Sequence, residues 1–388
     1  MSIFDVLALF GGLALFLFGM NVMGDGLTRA AGGKMERILE KLTSTPIKGV
    51  LLGAAVTAVI QSSSATTVMV VGFVNSGIMK LRQAVGIIMG ANIGTTVTSW
   101  ILSLSGIQGD SIWIQMLKPS SFSPILAVIG IAFLMFSKNE KKHDIGMIFL
   151  GFTILMYGMD AMSGAVAPLA DVPEFANVLL MFSNPVLGMI VGTLFTAIIQ
   201  SSSASVGILQ ALCMTGAVTY GTALPIIMGQ NIGTCVTALL SSIGAKKNAK
   251  RAAFVHLYFN LIGTILFMIV FYSINAFVNF GVLQDMATPA GIAVIHSIFN
   301  ILTTIVLLPF GKATLTIREK EEPVEEIAEL VPLKHLDARF LEQPAFAVTQ
   351  SMDVMNQMAG YSAEALYDSL ELMKDYSDEK WQRVEALE

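Results

Sequence analysis

Residues 61–65 read Gln-Ser-Ser-Ser-Ala, and residues 200–204 read the same, each inside an apolar stretch. One ungapped shift of 139 positions carries the first copy onto the second. The same shift aligns Gly19-Met20 with Gly158-Met159, Met23 with Met162, Pro46 with Pro185, Gly53 with Gly192 and Thr57 with Thr196. It also aligns Gly77 with Gly216, Ile87-Ile88-Met89-Gly90 with residues 226–229, Asn92-Ile93-Gly94-Thr95 with residues 231–234, and Thr98 with Thr237. An offset that holds over this length marks a duplicated structural unit, and each copy must find a fold that its twin can share.

Charge decides how the copies are oriented. Only 13% of the 388 residues are charged, about half the ~25% of a soluble domain. No Asp, Glu, Lys or Arg occurs between Glu174 and Lys246, whereas 318–388 is dense in them. Several apolar windows reach the ~20 residues that a membrane crossing requires. Ahead of the first Gln-Ser-Ser-Ser stand Arg29, Lys34, Arg37, Lys41 and Lys48, and after it Lys80 and Arg82. The matching flanks of the second copy hold no Lys or Arg. Short loops rich in Lys and Arg stay on the cytoplasmic side, so the copies are expected to be inverted with respect to each other.

The 31 residues between Lys48 and Lys80 span about 47 Å as one helix. One crossing would place the two lysines on opposite faces, and two full crossings need ~40 residues. A re-entrant helical hairpin with the Gln-Ser-Ser-Ser near its tip satisfies both limits. Non-helical backbone at membrane depth is tolerated only inside protein or beside a water-filled cavity, so both tips belong in the interior. Crossings are expected at about 3–20, 84–104, 122–137, 145–162, 223–243, 252–277 and 291–310, with 29–48 along the interface. The first segment carries Asp5, lacks a basic leader and is expected as a retained span rather than a signal peptide.

The expected fold is therefore an all-α polytopic membrane protein with two inverted-topology repeats, each with a re-entrant helical hairpin, plus a short helical cytoplasmic tail. Repeat 1 covers 1–137, repeat 2 covers 138–310, an acidic linker covers 311–333, and the tail covers 334–388 with apolar residues at helical spacing. The membrane is the plasma (inner) membrane, with the N-terminus external and the C-terminus cytoplasmic. Cys213 and Cys235 both lie in apolar stretches and are expected to serve packing. No basic cluster with interleaved aromatics points to nucleic acid, and no nucleophile–base pair or carboxylate dyad points to an enzyme.

Each tip offers a carboxamide and three hydroxyls, from Gln61, Ser62, Ser63 and Ser64 and from Gln200, Ser201, Ser202 and Ser203. Such groups donate to an oxyanion and also accept from water or ligate a monovalent cation. Inverted repeats whose broken helices meet near the midplane are how many carriers build a substrate site. Asn92, Thr95 and Thr98, with Asn231, Thr234 and Thr237, repeat the same chemistry beside glycines expected to interrupt the helix. None of these four segments holds Lys or Arg, so a bound anion would need co-bound cations to balance it. His256 and His296 open a second echo, HLYFN and HSIFN. Two histidines in apolar helices could relay protons or sense pH, but more often such residues bond a carbonyl or the other helix's asparagine.

At QSSSATT, QSSSASV, MGANIGTTVT and MGQNIGTCVT the chain resembles the type II sodium–phosphate cotransporter family over about residues 1–310. The resemblance implies sodium-driven movement of inorganic phosphate, with uptake favoured. It implies a phosphate site built from Gln61, Ser62–Ser64, Gln200 and Ser201–Ser203, with Asn92 and Asn231 beside them. Sodium, the co-transported ion, would be ligated by Gln61, Thr95, Thr98, Gln200, Thr234 and Thr237, with no organic cofactor. The short span 105–144 lacks the large extracellular loop of animal members. The tail resembles an incomplete PhoU-like helical domain, and a packing helix pair, a homodimer contact and a truncated regulator all stay open for it. Export, another oxyanion such as arsenate or sulfate, and a phosphate sensor that signals through the tail stay open at this point.

Overall fold

The computed structural model describes residues 2–31, 45–77, 79–107, 111–172, 181–310, 344–372 and 377–387. Most of the expected interfacial stretch and the whole 311–333 linker lie outside the described residues. The described elements are helices, apart from one isolated bridge between Thr219 and Met286. In chain order they are α1 (Ile3–Ala31), α2 (Pro46–Ile60), α3 (Ser63–Asn75), α4 (Leu81–Ser103), α5 (Ile112–Leu117), α6 (Pro119–Phe136) and α7 (Glu140–Val166). There follow α8 (Pro185–Ile199), α9 (Ser202–Cys213), α10 (Tyr220–Gly233), α11 (Cys235–Ser241), α12 (Lys247–Val278), α13 (Pro289–Leu307), α14 (Pro344–Leu372) and α15 (Asp378–Leu387). Seven helices or helix pairs among the described residues are long and apolar enough to cross a membrane, and each overlaps a crossing expected from the sequence.

Both hairpins form where the charge argument requires them. Pro46 and Pro185 start α2 and α8 at the first turn, where a missing N–H costs nothing, and Thr45 and Asn184 cap them. At 15 and 13 residues, α2 and α3 reach about 22 and 20 Å, short of a ~30 Å hydrocarbon core. Each arm is thus too short to cross the membrane by itself. The inner arms are pinned by equivalent hydrogen bonds: Thr57 Oγ1 donates to Thr66 Oγ1 at 3.0 Å, and Thr196 Oγ1 to Ser205 Oγ at 2.8 Å.

The inversion is visible in one antiparallel contact between α1 and α7. A Cβ on Gly12 would sit 3.1 Å from the Gly158 carbonyl oxygen, and one on Gly19 would sit 2.7 Å from that of Gly151. The repeat relation pairs Gly12 with Gly151 and Gly19 with Gly158. Each repeat therefore offers the same two glycines to the other, the reciprocity that a two-fold axis imposes. Because the helices run antiparallel, that axis lies across them, in the plane of a membrane. Equivalent close approaches hold each hairpin to its long partner, α2 to α4 through Gly53 and Gly90, and α8 to α10 through Gly192 and Gly229.

Two histidine contacts echo each other across the repeats. His256 of α12 meets Asn92 of α4, and His296 of α13 meets Asn231 of α10. Lys246 N donates to Asn75 Oδ1 at 2.8 Å, which ties the start of α12 to the end of α3. The basic residues of 80–82, 138–142 and 246–251 so gather toward one end of the bundle, called here the basic end. In the tail, Arg383 of α15 pairs with Glu364 and Asp368 of α14 at 3.4 and 3.3 Å. Ala347 of α14 packs on the apolar cluster at the basic end that includes Val74, Met79 and Ala245.

Candidate functional site

Each outer arm ends because one glutamine turns left-handed. Gln61 has φ 59° and ψ 20°, and Gln200 has φ 58° and ψ 22°. Their N–H groups still bond to the carbonyls of Thr57 and Thr196, at 2.8 and 2.7 Å. The next residue is extended and caps the inner arm: Ser62 Oγ accepts from Ala65 N at 3.1 Å, and Ser201 Oγ from Ala204 N at 3.2 Å. The Gln-Ser pair is therefore the helix break itself. It leaves the first N–H groups of α3 and α9 pointing inward, an arrangement that favours anions.

The two tips line one cavity of about 740 Å³, with Gln61, Ser62, Ser63 and Ser64 on one side and Gln200, Ser201, Ser202 and Ser203 on the other. That volume far exceeds the ~30 Å³ share of one water. The remaining wall is α1: Leu17, Met20, Asn21, Gly24, Asp25, Thr28 and Arg29. Asn21, Asp25 and Arg29 lie one turn apart on a single helix face and are exposed to the opening. The cavity thus runs from the tips toward the basic end. A separate groove of about 490 Å³ beside α12 and α13, lined by residues such as Leu266, Phe267, Val270 and Ile298, is almost wholly apolar and offers an anion nothing.

Arg29 corrects one expectation. The four motif segments hold no cation, yet the cavity wall brings one within the same space, next to the Asp25 carboxylate. The α1 stripe was not singled out from the sequence, because the duplication does not repeat it: Asp160, Gly164 and Pro168 occupy the matching positions. Its signal was the spacing of four residues between Asn21, Asp25 and Arg29 inside an apolar span.

The second motif pair is placed differently from expectation. Asn92 and Asn231 are buried and do not line the cavity; Asn92 Oδ1 is 3.4 Å from His256 Nε2, and Asn231 Oδ1 is 3.3 Å from His296 Nε2. The structure therefore does not bring these two expected phosphate contacts to the cavity. The neighbouring glycines do not interrupt α4, and α10 breaks only at Thr234. Gly94 and Gly233 serve close approach instead, since a Cβ would meet the carbonyl oxygens of Ala54 and Thr193 at 2.5 Å in both cases. The histidines take neither of the partners expected for them.

Among the threonines, Thr98 Oγ1 donates to Gln61 Oε1 at 3.0 Å, and the Gln61 amide nitrogen donates to the Ala58 carbonyl. Thr95 and Thr234 bond the carbonyls one turn back, at 3.0 and 2.9 Å, which leaves their oxygens able to accept or ligate. Thr237 Oγ1 is buried without a partner among the described residues, and Gln200 is exposed to the cavity. The structure therefore joins Gln61 to Thr98 and leaves their repeat mates apart.

The chain has relatives among known proteins. The Na+/Pi-cotransporter family model matches residues 15–164 and 169–286. YqeW of Bacillus subtilis is 31% identical over 299 residues, 76% of this chain and 92% of its own. YjbB of Escherichia coli, whose name proposes inorganic phosphate export, is 26% identical over 369 residues. That match covers 91% of this chain and 64% of YjbB, so the chain spans somewhat under two thirds of that relative's length. Sodium-dependent phosphate transport protein 2A of Rattus norvegicus is 39% identical over 97 residues, 24% of this chain and 15% of its own. No solved structure matches. With seven apolar spans and a family model over most of its membrane part, the chain belongs to the Na+/Pi-cotransporter family, a family of membrane-embedded phosphate transporters and not of enzymes.

Proposed function

We propose that the chain couples sodium to the movement of inorganic phosphate across the plasma membrane, with uptake as the favoured direction. The supporting observation is that both glutamine–serine tips face one cavity, which also holds Asp25 and Arg29. Phosphate sits between Ser62–Ser64 and Ser201–Ser203, taking hydrogen bonds from hydroxyls and from N–H groups at the starts of α3 and α9. Sodium takes oxygens from Gln61 and Thr98 in one repeat and from Gln200, Thr234 and Thr237 in the other, with Thr95 beside the first set. The division into repeats at 1–137 and 138–310 follows the two-fold contact between α1 and α7. The basic end faces the cytoplasm, so the cavity opens inward in this state.

Labelled phosphate uptake into proteoliposomes is the direct test. Replacing sodium by choline should reduce flux to the leak level, and flux indifferent to sodium would remove the coupling. Arsenate and sulfate as competitors define the oxyanion. The name of YjbB, which matches 91% of this chain, favours export as a second reading. Reversing the sodium gradient separates the two, because a symporter reverses with it.

Arg29 gives a second test. At the cavity's opening it attracts phosphate through a solvent-screened field, a steering effect more than a tight contact. Arg29→Gln should raise the half-saturating phosphate concentration about fivefold on the inner side at low salt, and less at high salt as screening grows. A salt-independent change would assign Arg29 a packing role instead.

A further inference from the structure

The repeats are related by a two-fold axis but are not in the same state. On α1, Leu17, Met20 and Gly24 line the cavity, and a Cβ on Gly24 would meet only the Ile60 carbonyl, at 3.3 Å. Their counterparts on α7 are Met156, Met159 and Ser163; Met20 and Gly24 are buried as well, so the difference lies in what the α7 side touches. Ser163 Oγ lies 3.4 Å from the Ala211 carbonyl and 3.3 Å from Met214 Sδ, so α7 is closed onto α9 where α1 stands open beside its own hairpin. Exchanging the two conformations between repeats would close the α1 side and open a matching cavity between α7 and α9, away from the basic end.

The repeat relation names what would line it. Asn21 maps onto Asp160, Asp25 onto Gly164, and Arg29 onto Pro168. Asp160 is exposed and has no hydrogen-bond or ion-pair partner among the described residues. Gly164, one turn on, has nothing within 4 Å of where its Cβ would stand, so this face borders open space. No Lys or Arg occurs between Lys142 and Lys246 to neutralise the carboxylate from its own repeat. A carboxylate inside an apolar span is costly to keep, which makes it a functional candidate.

We propose that Asp160 is a ligand for a monovalent cation at the outward-open entrance, the counterpart of the Asn21 position in the present cavity. This deepens the coupled-transport reading and rests on it. The outward entrance is then anionic, whereas the inward one holds both Asp25 and Arg29. The asymmetry predicts that Asp160 matters for sodium arriving from outside and little for phosphate arriving from inside.

In oriented proteoliposomes, Asp160→Asn should raise the external half-saturating sodium concentration roughly tenfold, as expected for losing one partly screened charge at contact. Asp160→Glu should recover most of it, and internal phosphate half-saturation should stay within about twofold. An unchanged external sodium curve in a sodium-dependent protein overturns the assignment. Ser163→Cys supplies a measurement independent of flux. Buried here, it should react with a membrane-impermeant methanethiosulfonate from outside during turnover, with the wild type as control because Cys213 and Cys235 are buried. Absence of labelling under either gradient overturns the outward cavity. Wild-type flux that ignores sodium overturns the proposed coupling, and Ser163→Cys labelling then still decides whether the cavity opens.

Discussion

Gln61→Val should lower sodium-dependent phosphate flux about a hundredfold, and Gln61→Gly about tenfold. The difference separates two jobs of one residue. The backbone at 61 is left-handed, with φ 59°, and a left-handed conformation costs an L-residue roughly 1–2 kcal/mol that glycine does not incur. The carboxamide accepts from Thr98 and donates to the Ala58 carbonyl, and losing such bonds at a buried site costs about 1 kcal/mol or more. Glycine keeps the turn and loses only the carboxamide, an effect of about 1.4 kcal/mol or tenfold. Valine loses both, and a tip that leaves the left-handed region also unseats Ser62 from its cap on Ala65. Initial rates normalised to reconstituted protein provide the measurement. Equal losses in the two variants would mean that the turn carries no function. Full activity in both would remove Gln61 from the site. Thr98→Val should reproduce the glycine effect, because it withdraws the other half of the same hydrogen bond.

The duplication and the charge pattern carried most of the architecture. Lys48 and Lys80 on one face forced a hairpin, and the matching uncharged flanks forced its twin to enter from the other side. The Gly12–Gly158 and Gly19–Gly151 contacts embody that inversion. What stayed hidden lay where the repeats differ. Asn21, Asp25 and Arg29 have no polar pattern in common with Asp160, Gly164 and Pro168, so a search for shared residues passes over the wall of the cavity. Asn92 and Asn231 lie off the cavity, and the sequence hid this for the opposite reason. A neutral amide repeated at mid-membrane has the same sequence signature whether it meets an anion or a histidine, and only the positions of α12 and α13 distinguish the two. The glycine of the second motif misled in a similar way. Gly94 and Gly233 could free a backbone or admit a neighbour, and the carbonyls of Ala54 and Thr193 at 2.5 Å show that they do the latter.

That reading of the glycines carries the largest expected effect on stability. Gly90→Val and Gly229→Val should each lower the thermal midpoint in detergent by about 10 °C or prevent recovery of monodisperse protein. A Cβ at Gly90 would stand 2.0 Å from the Val50 carbonyl oxygen, and one at Gly229 would stand 2.0 Å from that of Met189. No rotamer relieves a clash with backbone, so α2 must move off α4, or α8 off α10. Overpacking of this kind costs typically 1–3 kcal/mol or more, and each kcal/mol moves the midpoint of a domain of 150–250 residues by roughly 2–4 °C. In a membrane the penalty is not recovered by hydrophobic pressure, because lipid is as apolar as the helix and association depends on close packing at small residues. Displacing α2 also drags Gln61 from Thr98, so any protein that survives should show reduced flux as well as reduced stability. Gly11→Val is the matched control, since nothing lies within 4 Å of its Cβ. Circular dichroism melts and size-exclusion profiles of the three variants decide the matter. Wild-type behaviour at 90 and 229 would mean that the hairpins are not seated on the long helices through these glycines. Loss at 90 but not at 229 would break the equivalence of the two repeats on which the inverted fold depends.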